Sequence, residues 1–119
     1  MEKNSLGAVG ENKAAEYLKR QGYKIVDKNY RCRVGEIDII AQKDGFIAFV
    51  EVKSRKDASF AEAKEFVGYA KQQRIIKTAI LWLSGHECDL QPRFDVIEIY
   101  PSNNIFSPYK INHIENAFM

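Results

Sequence analysis

Two β-rich runs, Glu36–Lys43 and Phe46–Lys53, are separated only by Asp44-Gly45. Such a dipeptide between two strand-like runs points to a two-residue hairpin, because the favoured turn needs positive φ at both central positions and Asp and Gly tolerate it. The turn also sets the register. Lys43 faces Phe46, and every further pair follows by stepping back along one strand and forward along the other. One face then carries Ile37 opposite Val52, Ile39 opposite Val50 and Ala41 opposite Ala48, an apolar surface suited to packing against a helix. The other carries Ile40 opposite Phe49, Asp38 opposite Glu51 and Glu36 opposite Lys53.

The segments around the hairpin supply the helices and the remaining strands. From Ser5, a suitable N-cap, good helix formers run to Gln21 and stop at Gly22. Glu11, Ala14, Ala15 and Leu18 share one face of that helix, so one carboxylate stands on the side that turns inward. Tyr23–Asp27 reads as a short strand and Ser54–Ser59 as a polar loop. The stretch to about Leu83 is helical, with Ile75, Ile76, Ala79, Ile80 and Leu83 in one stripe and Gly68 as a possible division. Arg93–Tyr100 alternates as a strand, and Lys110–Glu115 suits an edge strand. The order is helix, three strands, helix, then one or two strands, within a single domain spanning residues 1–119.

Asp38 opposite Glu51 is costly as pure architecture, since like charges directly across a sheet repel at a Cβ separation of about 4.5–5.5 Å. A raised carboxyl pKa or a divalent cation relieves the repulsion, and oxygen-only ligands suit Mg²⁺ or Mn²⁺ rather than zinc. A solvated strand face with Glu36–Lys53 offsetting the charge is the competing explanation, and a register slipped by one residue would separate the pair.

Composition adds mainly exclusions. A net charge of +2 is too mild to argue for nucleic acid, so the positions of Lys and Arg must carry that case. No segment has the length of a membrane span and the amino end lacks a secretory apolar core, which makes the cytoplasm the expected location. Cys32 and Cys88 are far apart and outside any CxxC pattern, so they read as buried or idle thiols. His86 and His113 have no partner spacing and read as surface or loop residues, while Trp82 beside the helix stripe reads as core.

Taken together, Gly10-Glu11, Gly22-Tyr23, Asn29-x-Arg31, Gly35-Glu36-Ile37-Asp38-Ile39-Ile40-Ala41, Phe49-Val50-Glu51-Val52-Lys53-x-Arg55 and Arg93-Phe94-Asp95-Val96 resemble the YraN-like family of the PD-(D/E)xK nuclease superfamily. The resemblance covers about Leu6 to Ile99. It implies an α/β fold with a restriction-endonuclease-like αβββαβ core, a central mixed sheet flanked by helices, and kinship with archaeal Holliday-junction resolvases. Carried over by position, it implies a metal-binding acid at Asp38, a second acid at Glu51, a catalytic lysine at Lys53 and a helix acid at Glu11. Ile37 stands where the superfamily often has proline.

The function so implied is Mg²⁺- or Mn²⁺-dependent hydrolysis of DNA phosphodiester bonds, on branched or damaged structures. Asp38, Glu51 and the Val52 carbonyl, with Glu11 completing the shell, are the expected metal ligands, and Lys53 the group stabilising transition-state charge. Arg31, Arg33, Arg55, Lys71 and Arg74, with Lys77 beside them, are the expected phosphate contacts, and Gln72 faces the site from the same helix. For Asp95, pairing with Arg93, a supporting role and metal binding all stay open. Two other readings compete: a non-catalytic nucleic-acid-binding or assembly module that keeps the fold, and a metal-free structural domain. Resemblance to dimeric resolvases makes a homodimer an expectation.

Overall fold

The computed structural model describes residues 5–55 and 67–119, the side chains of residues 5–7 excepted. Helix α1 spans Ser5–Arg20 and closes through the Gly22 and Tyr23 amides on the Lys19 and Leu18 carbonyls. Strands β1 (Lys24–Arg31), β2 (Glu36–Lys43) and β3 (Phe46–Ser54) follow, then helix α2 (Tyr69–Ser84) and strands β4 (Gln91–Pro101) and β5 (Tyr109–Ile114). This is the expected αβββαβ order with one added edge strand. The polar stretch expected at Ser54–Ser59 and the first part of the second helix lie largely outside the described residues. The helix described begins after Gly68, and the stretch that this glycine was expected to divide from it lies outside the described residues.

The sheet order is β1-β2-β3-β4-β5, antiparallel except for the parallel β3–β4 pair that α2 bridges. The hairpin forms as its turn residues require. Asp44 and Gly45 have φ of 51° and 86°, and the pairs run from Lys43↔Phe46 to Ile39↔Val50. Ile39, Ala41, Ala48 and Val50 pack against Ala14, Ala15 and Leu18 of α1. Ile40, Ile47 and Phe49 pack against Ile75, Ala79 and Trp82 of α2 on the opposite face. Trp82 is core, as its place beside the helix stripe implies.

Three expectations need correction. Strand β1 continues to Arg31 although the sequence turns mostly polar after Val26, because an edge strand with its outer side in solvent needs no buried alternation. It tolerates a register shift between Ile25 and Asp27 and a positive φ of 53° at Asn29. Ile37 packs with Ile40 on the α2 side rather than beside Ile39 on the α1 side. The β2–β3 ladder thus ends at Ile39↔Val50, and none of the expected pairs Ile37–Val52, Asp38–Glu51 and Glu36–Lys53 forms as a ladder pair; Asp38 and Glu51 meet through their side chains instead.

Candidate active site

The break in alternation is centred on Asp38. Its Oδ2 accepts the Val52 amide proton at 2.8 Å, taking the place a strand carbonyl would occupy. The carboxylate is thereby held between β2 and β3, with one oxygen committed to the backbone. Glu51 stands on the α2 side, two residues beyond Phe49, by ordinary strand alternation. Both acids are buried, at 6% exposure each, and they lie within hydrogen-bonding reach of one another. Burial raises the Glu51 pKa, the Asp38 charge adds to the rise, and Lys71 opposes it.

Lys53 follows Glu51 on the same face, with Nζ 3.6 Å from Glu51 Oε2. Burial lowers the pKa of its ammonium; Glu51 counters that effect while the Lys71 charge reinforces it. Lys71, from the first turn of α2, makes an ion pair with the same Oε2. For Lys71 the desolvation that lowers its pKa is outweighed by Glu51, leaving it raised. The site is therefore two buried carboxylates against two ammonium groups, one from the sheet and one from the helix above it.

The other expected residues divide. Glu11 is buried, but it projects from α1, whose contacts are with the opposite face of the sheet. Gly10 lets this part of α1 close on the end of β3: a Cβ there would stand 2.0 Å from Ser54 Oγ. Among the described residues, no three His, Cys, Asp or Glu side chains converge into a metal-holding group. The donor chemistry still suits Mg²⁺ or Mn²⁺, which are commonly held by one or two carboxylates, with water and substrate phosphate completing the shell.

Glu36 is exposed and pairs with Arg31 at 2.9 Å instead of Lys53. Gln72 donates to the Val67 carbonyl at 2.9 Å, bracing the start of α2 rather than facing the acids. Arg55 is half-buried and pairs with Glu98 at 3.4 Å. Arg33 and Arg74 are exposed, and the β1–β2 connection that carries Arg33 packs at Gly35 against α2. There Gly35 abuts the Arg74 stem and Thr78, and Cys32 Sγ lies 3.9 Å from Thr78 Oγ1.

Sequence reasoning missed two buried networks. Glu98, fully buried, accepts from Arg55, from the Tyr100 hydroxyl at 2.7 Å and from the Asn112 amide at 2.9 Å, and it neighbours Lys53 in the β3–β4 register. An acid inside the apolar run Val96-Ile97-Glu98-Ile99 was the available signal. Asp95, also fully buried, pairs with Arg93 at 2.8 Å and with His113 Nε2 at 2.8 Å. The Tyr17 hydroxyl reaches the other ring nitrogen of His113 at 3.2 Å, and Arg93 donates to the Tyr23 hydroxyl. His113 is therefore not a surface residue, since its side chain is only 9% exposed. Among the possibilities for Asp95, pairing with Arg93 is the one formed.

The model of uncharacterised protein family UPF0102 matches residues 10–99. The chain belongs to that family. UPF0102 is the YraN family that the sequence motifs resemble. A UPF0102 protein of Caldanaerobacter subterraneus subsp. tengcongensis is 46% identical over 98% of this chain and 96% of its own. One from Alkaliphilus oremlandii is 48% identical, covering 95% and 97%, and one from Persephonella marina 44%, covering 94% and 91%. Matches of this extent make the UPF0102 fold a property of nearly the whole chain.

Proposed function

We propose that this UPF0102 protein is a Mg²⁺- or Mn²⁺-dependent endonuclease that hydrolyses DNA phosphodiester bonds, with branched or damaged DNA as its substrate class. The observation that carries this reading is the buried, facing pair Asp38 and Glu51 with Lys53 next to Glu51 on the same strand face. Two like charges held together away from water favour a divalent partner more than they favour stability.

Asp38, Glu51 and the Val52 carbonyl are the groups that would hold the cation, and Glu11 from α1 is the further acid that would complete the shell, directly or through water. A bound divalent cation would supply Lewis acidity toward the scissile phosphate. Asp38 is positioned in advance by the Val52 amide, so little rearrangement is needed when substrate arrives. Lys53 holds an ammonium beside Glu51, from which it would orient the attacking water and stabilise the growing phosphoryl charge. Its lowered pKa also eases proton exchange with a nucleophilic water. Exposed Arg33 and Arg74 provide the phosphate-contacting surface, with Arg31, paired to exposed Glu36, at its edge, whereas half-buried Arg55 is engaged by Glu98.

The test is cleavage of junction, flap and single-stranded DNA with Mn²⁺, run beside Asp38→Ala and Lys53→Ala. The expected result is a loss of at least about a hundredfold in rate for each variant. Equal cleavage by wild type and both variants would assign the activity to a contaminant. No cleavage by folded wild type, together with salt-sensitive DNA binding, would replace this reading with that of a binding module.

A further inference from the structure

Lys53 and Lys71 both contact the same oxygen of Glu51, yet they differ in how they reach it. Lys53 lies two residues along the same strand, so its stem cannot leave that face, and its side chain is 27% exposed. Lys71 arrives from α2, is 41% exposed and has a long stem open to solvent. With Asp38 and Glu51 ionised, the two lysines balance the two acids. A divalent cation added to this arrangement would leave two positive charges in excess, pressed against the ammonium groups on Glu51.

We propose that Lys71 is an exchangeable resident cation: it holds Glu51 in the metal-free protein, is displaced when a divalent cation binds, and then contacts the substrate phosphate. This rests on the metal-dependent reading above and extends it to the order of events. Lys71 is the group able to leave, since it comes from a separate element and is the more exposed of the two lysines. Once released it projects from the same helix turn as Arg74, which places it beside the exposed basic surface. A phosphodiester there supplies the negative charge that the incoming cation makes necessary. Metal and DNA therefore favour each other's binding through Lys71, and the coupling must be reciprocal.

Calorimetric titration of Mn²⁺ into the full chain tests this, using wild type, Lys71→Met, Lys71→Gln and Glu51→Gln, with and without a phosphorothioate duplex that resists cleavage. Circular dichroism checks that each variant is folded. Removing the competing ammonium should tighten Mn²⁺ binding in both Lys71 variants by about tenfold without DNA. The duplex should tighten Mn²⁺ binding in wild type and do so much less in the Lys71 variants. If the Lys71 variants bind Mn²⁺ no more tightly than wild type while Glu51→Gln loses binding, the exchange is refuted and the metal site stands. If wild type and every variant fail to bind Mn²⁺, the metal-dependent reading and the exchange fall together.

Discussion

Glu51 is held in a state that the fold alone would not select. Burial and the neighbouring Asp38 disfavour its charged form, and Lys71 recovers only part of that cost. A carboxyl whose folded pKa is raised weakens the fold once the pH exceeds that value, because the native state then loses a proton it binds more tightly than the unfolded chain does. Glu51→Gln keeps the size and removes the charge. It should therefore raise the stability of the metal-free protein at pH 8, by on the order of 1 kcal/mol, while abolishing Mn²⁺ binding. Urea unfolding in the presence of a chelator measures the first effect and calorimetry the second. A less stable Glu51→Gln protein would mean that the Lys53 and Lys71 ion pairs outweigh the repulsion, and that Glu51 is a structural residue.

At the scale of elements, the Asp44-Gly45 turn made the hairpin legible, since two residues with positive φ leave one register open to the strands beyond them. That register holds as far as Ile39↔Val50 and then ends, because Asp38 satisfies the Val52 amide with its side chain. A side chain standing in for a carbonyl leaves no mark on periodicity, so the pairs Ile37–Val52, Asp38–Glu51 and Glu36–Lys53 that the register implies do not form in the ladder. The same limit applies to the basic residues. Helical spacing groups Lys71, Arg74 and Lys77, but only the packing of α2 over the sheet separates Lys71, paired with Glu51, from the exposed Arg74. Arg33 and Arg74 come from different elements joined through the Gly35–Thr78 contact, and they should act as one phosphate-binding surface. Arg33→Ala and Arg74→Ala should each lower the salt dependence of DNA binding by about one phosphate contact and leave thermal stability unchanged. Fluorescence anisotropy across a salt series checks this, and an unaltered slope in both variants would move the DNA surface elsewhere.

For the molecule as a whole, the Asp95 network joins elements that are distant in the chain. Asp95 and Arg93 lie on β4, His113 on β5, Tyr17 on α1, and Tyr23 just before β1. Burial pushes the Asp95 pKa up, but hydrogen bonds from His113, Arg93 and the Asn116 amide overcome it and hold the carboxyl below its ordinary value. The sign follows from the unfolded carboxyl, which titrates near about pH 3.9. Asp95 contributes its full stabilisation above that pH, and the contribution fades as the pH falls toward the depressed folded value. Asp95→Asn should cost about 3 kcal/mol at pH 7, because it leaves the largely buried Arg93 guanidinium with only the exposed Glu115, at 3.1 Å, as a charge partner. It should also flatten the loss of stability below about pH 4. Denaturant unfolding from pH 3 to pH 7 measures both effects, and a variant that keeps the wild-type acid limb would place the sensitive carboxylate elsewhere.

Local rules were enough for much of this protein. The turn chemistry fixed the hairpin, the spacing of Ala14, Ala15 and Leu18 fixed the inward face of α1, and strand alternation put Glu51 and Lys53 on one side of β3. These features depend on residues a few positions apart, where backbone geometry leaves few choices. The tertiary structure decided the rest: that Asp38 lies between the strands, that Lys71 rather than Glu36 joins Glu51 and Lys53, that Glu98 captures Arg55, and that His113 is buried on Asp95. Each of those outcomes depends on how helices and strands far apart in sequence approach one another, and on which buried charge finds a partner first in a medium that penalises leaving it alone.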